Sequence, residues 1–484
     1  MKRFFFILLV VAAPACLYSS PLGSYLDRID LSGYFRLRMW NIIGKTYVPD
    51  KLPSLTTYRN INYIDLNFRN RINLTIIPEI EVRTVFDIES FFGKGTASID
   101  SGAASFIPRD VYAVFRPFEG SELLIGLEPF SLPGGYILAR DATGLQYSHY
   151  FSGSKASVYA AYIRAFDNAN DTLGQGSDTP RYQWDNILYI GSRFSIGSIV
   201  TGEAYYVYEN DMFATSHFNL DAMNVRYNPF TRSFEFDMID ILDDPSGDGR
   251  KCSLHWIGLH ARAVTGNWFV RLGGIFNVGI LRSRTRFYTY RRTLVKAGLL
   301  EFEAGYDNRD IVVSVIAEGA TGDPDNRNAG ISFQDIKGSH DFSLIAVDST
   351  GGLALRGSGE SQWYGLYGCG LNIKYALLDT LIIQLKLLHF GTTKTLYWRG
   401  HGTTWFGDEI DLSAEFSFRN ILSVFCSAGG FLPQRAYNAL DSMSNTYRNV
   451  FPSYLYSTFL WDIDNHASRS MIFEVMLGVK VTYD

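Results

Sequence analysis

The chain has 484 residues, of which 46% are hydrophobic and 15% aromatic, with a formal net charge of −5 and a mean hydropathy of −0.02. Beyond the N-terminus no run of eighteen apolar residues occurs, which excludes a helical membrane protein. No block of basic residues stands out, so nucleic acid is not an expected partner.

The first residues read as a secretory signal. Lys2 and Arg3 precede an apolar stretch from Phe4 to Ala13, and Ala13-Pro14-Ala15 offers small residues for cleavage. Cys16 follows directly and raises lipoprotein processing. A lipobox carries a Leu-like residue three positions before its cysteine, and here that position is Ala13. The spacing therefore favours an unmodified signal cut between Ala15 and Ser20, with residues 21–484 forming one membrane domain.

From there eighteen candidate strands follow, at 31–40, 64–76, 79–89, 109–117, 122–128, 142–150, 154–166, 185–195, 198–209, 253–265, 267–281, 296–307, 310–320, 362–377, 380–391, 407–418, 421–432 and 469–483. Connections after even-numbered strands are tight: Ile77-Pro78, Phe118-Glu119-Gly120, Ser152-Gly153, Ile196-Gly197, Gly266, Asn308-Arg309, Leu378-Asp379 and Arg419-Asn420. Those after odd-numbered strands are long and polar, as at 41–63, 167–184, 210–252, 321–361 and 433–468. A soluble sheet has no reason to sort loops by parity. A transmembrane antiparallel β-barrel does, because its periplasmic turns are short and its extracellular loops long. The expected fold is an all-β outer-membrane barrel of about eighteen strands. Its partners would be outer-membrane lipid and the machinery that inserts barrels.

The strands alternate as one lipid and one wet face require. The first sets Phe35, Leu37 and Met39 against Tyr34, Arg36, Arg38 and Trp40. The second sets Leu66, Phe68, Ile72, Leu74 and Ile76 against Asp65, Asn67, Arg69, Arg71, Asn73 and Thr75. The third places Glu79, Glu81, Arg83, Asp87 and Glu89 inward, and the strand near 410 does the same with Glu409, Asp411, Ser413 and Glu415. The last strand runs Phe473, Val475, Leu477, Val479, Val481 and Tyr483 on its lipid face, an aromatic ending of the kind insertion machinery recognises, with Asp484 after it. Thirty Tyr and 35 Phe fit aromatic girdles at the two interfaces. Eighteen strands leave room for an aqueous lumen, which loop 210–252 or 321–361 would narrow by folding inward. Cys252, Cys369 and Cys426 form no disulfide framework, and Cys369 is expected to face lipid.

Three stretches resemble the alginate-export-type family of outer-membrane porins. They are Ser32-Gly33-Tyr34-Phe35-Arg36-Leu37-Arg38 with Arg69-Asn70-Arg71-Ile72-Asn73-Leu74; Arg109-Asp110-Val111-Tyr112-Ala113-Val114-Phe115 with Leu124-Ile125-Gly126-Leu127-Glu128-Pro129-Phe130; and Gly407-Asp408-Glu409-Ile410-Asp411-Leu412 with Ala428-Gly429-Gly430-Phe431-Leu432-Pro433. The resemblance implies an eighteen-stranded barrel that passes a polar polymer or small polar solute. Members that carry alginate have a strongly arginine-rich constriction. Here Arg36, Arg38, Arg69, Arg71 and Arg83 would form a basic wall, faced by Glu301, Glu303 and Glu318, with Glu409, Asp411 and Glu415 further round. Opposite charges on facing walls give a transverse field that sorts solutes by charge. The same side chains also have a plain reading, as pairs that stiffen the wall.

No cofactor and no metal site is expected. The acidic segments 243–249 and 323–326 have oxygen ligands enough for calcium but lack a complete EF-hand pattern, so solvated turns are expected. Neither HExxH nor G-x-S-x-G occurs among the eight histidines and their neighbours. His255 and His260 lie on opposite faces of one strand, and Ser148-His149 lacks local partners. An enzyme is not expected. Two readings remain: a channel for anionic or zwitterionic solutes or polysaccharide, and an adhesin or receptor whose long loops bind a partner.

Overall fold

The computed structural model describes residues 29–44, 59–92, 105–132, 135–153, 155–165, 185–211, 225–228, 233–236, 251–284, 290–322, 333, 342, 365–398, 401–419, 421–435 and 472–483. The strands are β1 (Ile29–Gly44), β2 (Arg59–Ile77), β3 (Ile80–Phe92), β4 (Ser105–Phe115), β5 (Ser121–Ser131), β6 (Ala139–Phe151), β7 (Ala156–Ala165), β8 (Asp185–Ile196), β9 (Val200–Asp211), β10 (Val225–Asn228), β11 (Ser233–Phe236), β12 (Lys251–Thr265), β13 (Trp268–Arg284), β14 (Tyr290–Asp307), β15 (Ile311–Ala320), β16 (Leu366–Leu378), β17 (Leu381–Trp398), β18 (His401–Phe418), β19 (Leu422–Pro433) and β20 (Ile472–Tyr483). β10 and β11 pair only with each other; the remaining eighteen form one antiparallel sheet. β1 pairs with both β2 and β20, so the sheet closes on itself and has no edge.

Every expected strand has its counterpart, but several run further. β17 and β18 extend to Trp398 and back from His401, so the long connection expected between them is only residues 399–400. β13 and β14 likewise leave only 285–289 between them. The hairpins keep pairing beyond the depth at which lipid demands it, because each added pair satisfies two backbone groups. The tight turns lie where glycine allows left-handed backbone: Gly197 has φ +61° and Gly266 +58°.

The outer face is apolar. Leu300, Ile257, Leu259, Leu272, Phe276, Ile410 and Leu477 are all exposed in the outward-facing series of their strands, as a lipid-facing band requires. At the turn end Trp268 packs edge-on to Tyr306, and His149 against Phe118 and Phe151. Tyr162, Tyr206, Tyr208 and Trp405 lie towards the loop end. This is the two-girdle pattern of a membrane barrel, the architecture that bacteria place in the outer membrane. Tyr483 closes the seam, stacked on Phe68 and donating to Arg69 O at 3.3 Å and to Asn70 Oδ1.

The interior departs from a uniformly wet lining. Ile163, Ile187, Val207, Leu254, Trp256, Ile275, Val295 and Leu299 all face inward and are at most 3% exposed. A tight series of aromatics over glycine joins them: Tyr159 lies over Gly191 and Tyr205 over Gly258, where an added Cβ would sit 2.4 and 2.1 Å from the ring. An apolar inner surface over so many strands must be covered, and it is.

Candidate functional site

The cover is the connection between β5 and β6. Leu132, Tyr136, Ile137 and Leu138 are each at most 4% exposed and belong to the same buried cluster as the inner faces of β7–β14. Backbone bonds from Leu132 N to Leu138 O (2.9 Å) and Gly135 N to Leu132 O (2.8 Å) close the segment, with Gly135 at φ +72°. Tyr136 donates its hydroxyl to Glu301 Oε2 at 2.8 Å. Glu301 is on β14, six barrel strands beyond β6, so the contact spans the lumen as a chord. Burial, with Glu318 and Glu301 nearby, pushes the Tyr136 phenol well above its ordinary range, so it remains a donor at any physiological pH.

Glu301 is a hub. His260 Nδ1 lies 2.7 Å from Oε1, and Arg271 Nη2 donates to Oε2 at 3.0 Å. Tyr205 hydroxyl lies 3.0 Å from His260 Nε2 with the two rings stacked. Thus His260 is inward, while His255 is outward between Tyr206 and Tyr208, on opposite faces as their spacing dictates.

A second cover lies over β16–β19. Phe342, in the connection after β15, packs edge-on to Phe390 at 6.0 Å, and Lys386 Nζ donates to its carbonyl at 2.8 Å. Phe333 is buried as well and donates from N to Thr321 O. Loop 321–361 therefore reaches into the lumen at these two residues. Most of 210–252, the calcium-ligand candidates at 243–249 and 323–326, and 436–468 lie outside the described residues. The short segment 132–138, which loop length had not marked, makes the chord across the lumen.

The remaining wall, β1–β4 and β18–β20, holds most of the expected charges. Arg38 Nε bonds both oxygens of Asp65 at 3.0 Å, and Trp40 donates to the same carboxylate. Arg69 meets Asp87 in a two-pronged pair at 2.7 Å, and Arg109 shares that carboxylate at 2.9 Å. Arg83 and Arg116 both bind Glu81, at 2.8 and 3.0 Å. These bridges run along one wall instead of across the barrel.

Three cations differ. Arg36 and Lys480 stand directly opposite each other on β1 and β20. Both approach the ring of Tyr34, Arg36 at 5.9 Å and Lys480 at 4.7 Å, where Arg69 also lies at 5.6 Å. Arg36 Nε is buried with no hydrogen-bond partner. Arg71, inward on β2 opposite Ser32, makes no hydrogen bond or ion pair among the described residues, with Asp110 close enough to feel its charge. Like charges in register cost stability, so their retention calls for another account.

The acidic residues are dispersed. Glu303 accepts from Ser314 at 2.9 Å, Glu318 is inward on β15, and Glu409 and Asp411 are buried on the inner face of β18. Glu415 lies nearer the turn, beside Ser417 at 3.4 Å. Cys369 and Cys426 are on the outer face, and Cys252 is buried inside. His149 bonds Ser121 at 3.0 Å rather than Ser148, and no third group orients it among the described residues.

No protein-family model matches the chain, and no curated protein matches it. Solved structures do. OccAB3 of Acinetobacter baumannii superposes with a TM-score of 0.52 at 9% identity, covering 94% of this chain and 99% of that one. OpdQ of Pseudomonas aeruginosa gives 0.52 at 11% identity over 95% and 99%, and OccK5 (OpdH) of the same organism 0.51 at 10% over 94% and 99%. The likeness to the alginate-export type rests on the short motifs alone. The chain thus has the closed eighteen-stranded fold of these outer-membrane porin barrels over nearly its whole length.

Proposed function

We propose that this barrel is a passive channel for small anionic or zwitterionic solutes, selected along the β1–β3 and β20 wall. The observation that carries the reading is the pair Arg36 and Lys480, like charges set directly opposite each other on the lumenal face with Arg36 Nε unpaired; Arg71 adds a further lumenal cation nearer the turn. In a low-dielectric wall such charges focus the field and concentrate anions. The ion pairs of Arg38, Arg69 and Arg83 hold the wall rigid around them.

The motif resemblance extends the reading to acidic polysaccharide. The chord from the β5–β6 connection to Glu301 favours small solutes, since a polymer needs an undivided lumen. Liposome swelling with solutes of equal size and different charge tests this. Uptake of gluconate ahead of neutral glucitol, its six-carbon counterpart, supports it; equal uptake of the two overturns it.

A further inference from the structure

A second set of cations lies far from the arginine wall. At the turn end of β7–β16 the inner surface opens into a cavity of about 800 Å³. Five cations and three carboxylates line it, with His260 at its inner edge. Two of the cations have partners: Arg193 is bound to Glu203 at 2.9 Å, and Arg271 to Glu301 at 3.0 Å.

The other three, Lys155, Arg262 and Lys374, have no carboxylate partner among the described residues. Arg262 rests on the Phe269 ring at 5.4 Å, which supports one face of the guanidinium and leaves its donors to the cavity. Of the lining carboxylates, Glu203 is taken by Arg193 and Tyr159, Glu303 accepts from Ser314 and keeps its charge, and Asp307 stands on β14 two strands from Lys374, so the lining cations outnumber the carboxylates five to three. The three unpartnered cations come from the β6–β7 turn, β12 and β16, separate points on the rim of this one cavity. A wall that needed them only for rigidity would have paired them, as it paired Arg193 and Arg271.

We infer that this vestibule is an anion-binding site of its own, taking a small carboxylate or phosphate at Arg262, with Lys374 and Lys155 as further positive charges on its rim at the periplasmic mouth. The inference deepens the channel reading: two separated sites let one anion enter while another leaves, which is how a selective pore avoids trapping its solute. Arginine supplies a planar two-pronged grip on an oxyanion, and the two lysines supply point charges that tolerate different shapes.

The test uses the full chain in detergent, titrated calorimetrically with citrate and, separately, with inorganic phosphate. Arg262→Gln with Lys374→Gln is the vestibule variant; Arg36→Gln with Arg71→Gln is the wall variant. Neither vestibule substitution orphans a carboxylate, so folding should be retained, and Arg262→Lys checks this by restoring charge. The expected result is at least about tenfold weaker binding of one anion in the vestibule variant, with that site intact in the wall variant. Wild-type binding that the vestibule variant leaves unchanged, or no binding in the wild type, overturns the inference. The readout needs no conductance, so binding without anion selectivity in a bilayer would sink the channel reading and leave the vestibule standing.

Discussion

Replacing Tyr136 with Phe removes the hydroxyl contacts that tie the crossing segment to Glu301 and Glu318. A hydrogen bond to a charged group is worth about 1.5–3 kcal/mol. Glu301 keeps His260 and Arg271, so its charge stays paired and the lower half of that range applies. Against this stand Leu132, Ile137 and Leu138, each buried, at about 1.5–3 kcal/mol apiece, or roughly 5–9 kcal/mol together. Apolar docking wins. The segment should stay in place in Tyr136→Phe, while its undocked fraction rises about 12–40-fold, at tenfold per ~1.4 kcal/mol. In single-channel records the main conductance level should be unchanged and brief excursions to a larger level more frequent by that factor. Ile137→Asn removes apolar burial and buries an amide, so its excursions should become sustained. If Ile137→Asn keeps both the wild-type conductance and its excursion frequency, the segment does not set the constriction and the reasoning fails.

Further outcomes follow from the same contacts. Asp87→Asn leaves Arg69 and Arg109 without their shared carboxylate; each is about a third exposed, so the loss should be ~1–3 kcal/mol rather than the larger cost of a fully buried pair. It should lower the thermal midpoint in lipid vesicles and raise anion selectivity together. Gly258→Ala puts a Cβ into the Tyr205 ring and should cost about 1–3 kcal/mol, measured by the same melt, with the Tyr205–His260 bond lost. Phe342→Ala should cost about 3–5 kcal/mol and widen the pore, read as a higher conductance level.

The strands were legible because lipid on one side and water on the other impose period two. Phe35 against Arg36, or Ile410 against Glu409, can be read without a structure. Where both faces are apolar the same rule is silent. β8 and β12, with Ile187 and Tyr189 or Leu254 and Trp256 inward and Leu188, Ile190 and Ile257 outward, carry a signal of two-sided burial. That signal points to something packed inside the barrel. Loop length pointed elsewhere, because a chord needs only enough residues to cross, and Leu132, Tyr136, Ile137 and Leu138 are apolar where a solvated loop would be polar. The pairing of the arginines depended on register. Arg38 opposite Asp65 and Arg69 opposite Asp87 are partners only after the hairpins align, as are Arg36 and Lys480 across the closing seam.

The most direct test is the reversal potential of the purified protein in a planar bilayer under a tenfold salt gradient, for wild type and for Arg36→Gln with Arg71→Gln. The account predicts stable conductance steps with anion selectivity in the wild type, reduced or abolished in the double variant. Cation selectivity, or selectivity that the double variant leaves untouched, would contradict it.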